Sequence, residues 1–570
     1  MKHLAWATLV ELLQERAAAT PDALAYSFLG SKLHEHRCTY GELHARALVV
    51  AARLRRVVQE DDRVLVCHVP GLDYIAAFFG CLYAGAIAVP VYPPQYYKSF
   101  DRIRSIIEDA RPRAALTSAA ILQKLGGEVG AAAGPGLDWI VTEDLAGAEG
   151  DGRPADRRPG SIAFLQYTSG STAEPRGVRL SHANLLDNLQ AIQRNFGSHP
   201  RSVGCIWLPP YHDMGLIGGI LQPLYAGFPV YLMSPIAFVL RPSKWLEAIT
   251  RFHATISGGP NFAFDLCVAR IKPEEMAHFD LRSWEIAFCG AEPIRAATLA
   301  AFRQKFAPVG LKPHALHPCY GLAEATLMVT ASAPATPPVT EEVDAESLAS
   351  NVARPAAGRP GRLLVGCGRA IDGTEVRIVN PQTLAVCAEG EIGEIWVAGP
   401  GVGPGYWGRP AESDETFGAR LASGAGPYLR TGDLGCLKHG ELFVTGRRKD
   451  VIIVKGRNYY PQDIEHSVST SHPGLRPDGA VAFSIDRGDE ESLVVMQEVQ
   501  ANRMHCDPGQ VIPLIAKATL AACEIAPHDI VLLPKGSLAR TTSGKLQRQL
   551  MKQRYLAGEL AVLYRGKGSP

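Results

Sequence analysis

The chain has no excess of either charge: 58 Lys and Arg stand against 57 Asp and Glu, a net of +1. That balance gives no support for a non-specific nucleic-acid binder, which needs a basic surface to neutralise phosphates. The twelve cysteines form no CxxC pair and no cluster at metal-ligand spacing. Zinc ribbons and disulfide scaffolds are therefore disfavoured, and buried, reduced thiols in a cytoplasmic protein are expected. No G-x-x-x-x-G-K-S/T motif occurs, which disfavours an ordinary P-loop kinase or ATPase. Internal repeats and a carrier-protein serine motif are also missing. The opening "MKHLAWATLVELLQERAAATPD" carries charges through its apolar part and lacks a signal-peptide layout; its leucines suit a short surface helix.

One uncharged run, "YIAAFFGCLYAGAIAVPVY" at 74–92, has the length of a membrane span. Gly85 is a plausible helix C-cap inside it, and the β-branched "AIAVPVY" that follows is strand-like. The run is read as a buried helix feeding a buried strand, with no transmembrane segment.

What is present is a globular composition, 46% hydrophobic and 20% charged, over 570 residues. That length exceeds one ordinary core, so at least two domains are expected. Strand-like runs at 63 ("RVLVCHV"), 86 ("AIAVPVY"), 161 ("SIAFLQY") and 228 ("FPVYLM") alternate with helical patterns. This alternation predicts an α/β fold with largely parallel sheets. Ser181 can N-cap a helix whose Leu185, Leu189 and Ile192 share one face. Residues 331–362, rich in Pro and Ala, read as a long surface loop. From about 390 the composition turns to Gly-rich strands. The last 120 or so residues read as a small α+β domain, its boundary within "GRRKD" at 446–450.

The stretch "LQYTSGSTAEPRGVRLSHANL" (165–185) crowds Thr168, Ser169, Ser171 and Thr172 around Gly170, between a strand and a helix. Alone it fits two readings. It can be a solvated Ser/Thr turn, or a cradle in which backbone amides and hydroxyls surround a phosphate. Four further segments follow in order: "CGAEPI" (289–294), "YGLAEAT" (320–326), "YLRTGD" (428–433) and "TTSGKLQR" (541–548).

Together with "YTSGSTAEPRG" these segments resemble the adenylate-forming superfamily of acyl ligases, amino-acid adenylation domains and luciferases, over nearly the whole chain. Within it the sequence looks most similar to the fatty acyl-AMP ligases. The loop reads Thr172-Ala173-Glu174-Pro175-Arg176-Gly177 rather than T-G-x-P-K-G, and "LPPYHDMGLIGGIL" (208–221) and "GRNYYPQDIE" (456–465) look like that branch. So does the insertion at about 331–362.

The resemblance implies a large N-terminal domain (1–446) that binds ATP and the acyl chain, a hinge at 447–451 that includes Lys449, and a small mobile C-terminal domain (452–570). It implies that Thr168, Ser169, Gly170, Ser171 and Thr172 hold the β- and γ-phosphates of ATP. Tyr320 and Gly321 would meet adenine on one side, and Gly290, Ala291 and Glu292 on the other. Asp433 would accept hydrogen bonds from both ribose hydroxyls, with Arg447 beside it. Glu324 would be the Mg²⁺ ligand, a hard oxygen donor for a hard cation. Lys545 would be the catalytic lysine, swung in to stabilise charge between the carboxylate and the α-phosphate. His212 would lie at the acyl pocket, where amino-acid adenylation domains usually place an aspartate.

The implied reaction is formation of an acyl-adenylate from a fatty acid and ATP. The acyl group would then pass to the phosphopantetheine thiol of an acyl carrier protein in a polyketide or lipopeptide pathway. A long-chain acyl-CoA ligase shares every adenylation residue named. A catalytically silent docking module is disfavoured by the presence of Lys545, Glu324 and the hydroxyl loop.

Overall fold

The computed structural model describes residues 6–93, 101–132, 137–145, 153–168, 175–359, 361–454, 457–486, 491–500, 507–523, 525–541 and 544–567. Two large sheets dominate the first two-thirds of the chain. A six-stranded sheet has the order Asp138–Val141, Ala114–Thr117, Arg63–Cys67, Ile87–Pro90, Ile162–Thr168, Arg176–Ser181. All its pairings are parallel except the last, an antiparallel hairpin. A nine-stranded sheet has six adjacent parallel strands at its centre, from Leu316–Gly321 to Leu24–Leu29. The four apolar runs picked out in the sequence are the strands Arg63–Cys67, Ile87–Pro90, Ile162–Thr168 and Val230–Met233. They are buried because parallel sheets carry helices on both faces.

The membrane-like run folds as expected. Helix Leu72–Ala84 is buried from Tyr74 to Ala84 and ends at Gly85, whose φ of +80° is a left-handed cap. Strand Ile87–Pro90 follows within three residues. No helix among the described residues is long and apolar enough to cross a membrane. Ser181 caps helix His182–Phe196 in a capping box with Asn184, and Leu185, Leu189 and Ile192 are fully buried on one face. Ten of the cysteines are described as free thiols, and eight of these are buried.

The N-terminal helix Leu9–Ala19 differs from the surface helix expected. Leu9, Leu12 and Leu13 have no exposed area, and Arg16 reaches the carbonyls of Leu224 and Tyr225 at 3.1 and 2.6 Å. Residues 331–362 also depart from the loop reading. Strands Thr340–Asp344 and Gly361–Val365 pair antiparallel around the short helix Ala345–Ala349. Val343, Leu348 and Leu364 then pack in one apolar cluster with Phe443 and Tyr460.

A four-stranded antiparallel sheet, Glu375–Val379 to Glu441–Arg447, completes the large domain. The smaller domain is α+β. Strands Leu475–Asp486, Glu491–Val499, Asp529–Leu533 and Tyr564–Gly566 form one sheet, with helices Pro461–Ser469, Pro508–Cys523 and Arg548–Ala557. It has its own core, centred on Ile464, Val468, Val495 and Ile530.

Candidate active site

Ligands of open α/β sheets bind beyond the carboxyl ends of the parallel strands. Two neighbouring strands of the nine-stranded sheet, Ile286–Cys289 and Leu316–Gly321, end side by side there. The first delivers Gly290, Ala291 and Glu292, with Ala291 held at φ +71°, a conformation that an alanine rarely adopts and that recurs at functional sites. The second delivers Tyr320 and Gly321. A side chain at Gly321 would lie 1.7 Å from the Leu327 carbonyl oxygen, so only glycine fits.

The Tyr320 hydroxyl donates to Asp433 Oδ2 at 2.9 Å, and both residues are largely buried. Burial, and then the Asp433 carboxylate, push the phenol well above its ordinary pKa, so it stays a donor. Asp433 and Arg447 face each other across paired strands. Arg447 Nε donates to Asp433 Oδ1 at 3.1 Å, and that carboxylate raises the guanidinium pKa. Glu324 sits in the tight turn Ala323–Ala325, where Tyr406 donates a hydrogen bond to its Oε1 at 3.0 Å. Burial raises the Glu324 carboxyl pKa, opposed by its own backbone N–H, Arg447 and Tyr406.

Lys545 comes to this cleft from the small domain. Its backbone is pinned by two hydrogen bonds: its N–H donates to Thr541 Oγ1 at 3.0 Å, and its carbonyl accepts from the Thr541 N–H at 2.7 Å. Burial first, and then Arg447, lower the ammonium pKa, while Asp213, Glu292 and Asp433 oppose the shift. The charge of Lys545 is thus felt by four groups of the large domain, from three separate segments.

Of the hydroxyl loop, Thr168 ends strand Ile162–Thr168 and pairs with Arg176 across the hairpin. Ser169, Gly170, Ser171 and Thr172 lie outside the described residues. Lys449 lies in the short turn Arg448–Asp450, between the two domains, and its carbonyl accepts from Gln549 Nε2 at 2.9 Å.

An apolar cavity of about 760 Å³, counting its open mouth, runs inward from this cleft. Asp213, Ala291, Tyr320 and Gly321 line one part of it, and Ile192, Phe196 and Phe228 another. His212 is not in its wall. The chain turns through Pro209–His212 into a π-helix, Met214–Leu221, and it is Asp213 and Met214 that face the cavity. Burial raises the Asp213 carboxyl pKa, against the pull of Lys545. Neither Asp213, one residue past His212, nor Tyr406, in "PGYWG", is among the residues singled out in the sequence.

The insertion reaches the small domain. Arg362 pairs with Asp463 at 3.0 Å and lies over the ring of Tyr460 at 4.8 Å, and Asn458 donates to Asn351 at 2.9 Å.

A carboxylate-lined cleft at parallel strand ends, entered by a lysine from a second, smaller domain, defines an adenylate-forming enzyme. Comparison with known proteins agrees. The family described as AMP-binding enzyme matches residues 13–407, and one described as Disco-interacting protein 2-like, AMP domain, matches 449–564. The medium-chain-fatty-acid–acyl-carrier-protein ligase JamA of Moorena producens is 41% identical, over 97% of this chain and 96% of that one. The long-chain-fatty-acid–AMP ligase FadD26 of Mycobacterium marinum is 38% identical, over 96% and 97%. Among solved structures, the fatty acyl-adenylate ligase of L. pneumophila in complex with acyl adenylate and pyrophosphate is 38% identical, with a TM-score of 0.76 over 99% and 98% of the two chains. The chain belongs to the AMP-binding enzyme family and, within it, to the fatty acyl-AMP ligases.

Proposed function

We propose that this protein joins a fatty acid to AMP and then hands the acyl group to the phosphopantetheine thiol of an acyl carrier protein. The observation that carries the reading is the apolar cavity whose lining includes Asp213, Ala291 and Tyr320, with the Lys545 charge in reach of Asp213. An alkyl tail fills such a space, and its carboxylate is left at the polar mouth.

In the first half-reaction a carboxylate oxygen attacks the α-phosphorus of ATP, and the bond to pyrophosphate breaks. Lys545 is assigned to neutralise charge that develops between the two anions. Asp433, held by Arg447, is assigned to the ribose hydroxyls; adenine lies between Tyr320–Gly321 and Gly290–Ala291–Glu292. The loop from Thr168 to Thr172 takes the β- and γ-phosphates. Glu324 suits Mg²⁺: its carboxyl is half-buried beside Arg447 and Asp213, and Mg²⁺ takes one or two carboxylates and completes its shell from phosphates and water. Bound there, the ion would neutralise phosphate charge.

In the second half-reaction the thiol sulfur attacks the acyl carbonyl carbon and AMP leaves. Lys545 then has to leave the cleft, so residues 447–451 are assigned as the hinge between 1–446 and 452–570. The carrier assignment draws on JamA, whose name specifies that acceptor.

The test is one incubation with ATP, Mg²⁺, a fatty-acid series, coenzyme A and a phosphopantetheinylated carrier, resolved by mass spectrometry. Acyl-AMP and acyl-carrier without acyl-CoA are expected. Abundant acyl-CoA would make this a CoA ligase.

A further inference from the structure

The acyl cavity has one polar side chain with nothing to bind. Gln222 begins helix Gln222–Ala226, directly after the π-helix, and lines the cavity at 3% exposure. Its backbone N–H is satisfied by the Ile217 carbonyl. Its carboxamide is not: both Oε1 and Nε2 are buried without a hydrogen-bond partner among the described residues. A primary amide offers two donors and an acceptor with two lone pairs. Leaving such a group buried and unpaired is costly, and polar groups in this position normally meet a partner. Most of the other residues that line the cavity, among them Ile192, Ile206, Pro223, Phe228 and Ile256, have side chains that offer no hydrogen bond. The missing partner therefore belongs to what fills the cavity.

We infer that the acid this protein adenylates carries a hydroxyl or carbonyl oxygen in its tail, and that Gln222 selects for it. The inference rests on the fatty-acid reading above. Gln222 lies nine residues beyond Asp213, about two helical turns along the cavity wall. The oxygen consequently sits in the distal part of the chain and not beside the carboxylate. An amide donates to a carbonyl, which pairs its Nε2 alone, and both donates to and accepts from a hydroxyl, which can pair either end. A plain alkyl tail satisfies neither end. A site built to hydrogen-bond a substrate oxygen discriminates against the analogue lacking it far better than a greasy pocket discriminates by size.

The experiment compares kcat/KM for adenylation, read by pyrophosphate release, for matched medium-chain acids. The set is unsubstituted, 3-hydroxylated, and hydroxylated or oxidised to the ketone at each distal carbon. A distal hydroxy or keto acid is expected to exceed the unsubstituted acid about ten-fold or more, with the 3-hydroxy acid gaining nothing. Gln222→Leu keeps the volume and removes the hydrogen bonds. It is expected to abolish or invert that ratio while still adenylating the plain acid, and to melt no lower than the parent in the absence of acid.

Equal use of plain and distally oxygenated acids, as a bound water bridging Gln222 would allow, overturns the inference and leaves the fatty-acid reading intact. A ratio unchanged in Gln222→Leu overturns the role of Gln222. Pyrophosphate release with none of the acids overturns both readings.

Discussion

Arg295 of the large domain holds Asp478 of the small domain at 3.0 Å. The same guanidinium pairs with Asp265 of its own domain, and Arg540 of the small domain donates to the Asp478 carbonyl. Arg295 lies three residues past Glu292, so the lobe that carries Lys545 is fastened beside a segment of the cleft itself. Removing the carboxylate in Asp478→Ala is expected to slow adenylation about three- to ten-fold, with ATP affinity unchanged, as suits a partly exposed ion pair. The pyrophosphate burst rate and equilibrium ATP binding measure the two; equal burst rates would show that the pair does not hold the lobe.

Lys545→Ala leaves the large-domain cleft intact and removes a charge that matters most as the anions react. Adenylation is expected to fall about 10²- to 10³-fold with ATP still bound, as for loss of a preorganised oxyanion-stabilising group. Single-turnover formation of acyl-AMP reads the first effect and calorimetry the second. An unchanged rate would remove Lys545 from the chemistry.

The pKa shifts fix the shape of the pH profile. Burial raises the Glu324 and Asp213 carboxyls and lowers the Lys545 ammonium. As pH falls, Glu324 protonates earlier than a free glutamate; as pH rises, Lys545 loses its charge earlier than a free lysine. The bell in kcat/KM, which reports the free enzyme, should therefore be narrowed from both sides. Lys545→Arg, whose guanidinium stays charged, is expected to be slower and to lack the alkaline limb.

The insertion's grip on the small domain passes through Arg362, between Asp463 and the Tyr460 ring. Arg362→Ala is expected to cost about 1 kcal/mol locally. Amide hydrogen exchange in 340–365 and in 457–470 should quicken together, and protection lost in only one of them would refute the coupling.

His182 is 1% exposed, and its Nδ1 accepts the Leu9 N–H at 3.2 Å, which docks the N-terminal helix. Burial, helped by Arg157, lowers its pKa to about 3. An unfolded histidine titrates near 6.5, so the unfolded chain takes up a proton that the folded one refuses. This stabilisation is complete above pH 6.5 and is lost progressively as pH falls toward 3. In His182→Gln the fall in melting temperature below pH 6.5 should be shallower by about one proton.

What the sequence disclosed was what neighbours in the chain decide. Ser181 and Asn184 close a cap within four residues, and Gly85 stops a helix on its own backbone freedom. The motif residues Glu292, Tyr320, Glu324, Asp433, Arg447 and Lys545 could be singled out, and the fold brings their charges into one cleft. Distant contacts were invisible. Val343 and Leu348 look isolated in a Pro- and Ala-rich stretch because their partners, Phe443 and Tyr460, lie about a hundred residues on. The N-terminal leucines read as a surface face because Leu224 and Tyr225, which Arg16 grips, are two hundred residues away. His212 adjoins the cavity-lining Asp213 in the chain, and which of the two faces the cavity is decided by the fold around them.

The uncharged run 74–92 has a consequence for how the chain is made. Strand Ile87–Pro90 has Ile162–Thr168 as its neighbour on one side, the two meeting at Ala88 and Phe164. At ribosomal speeds that partner emerges roughly 4–15 s later. Until then this uncharged run lacks its sheet neighbour on that side. This six-stranded sheet therefore cannot be completed until residue 181 has left the ribosome.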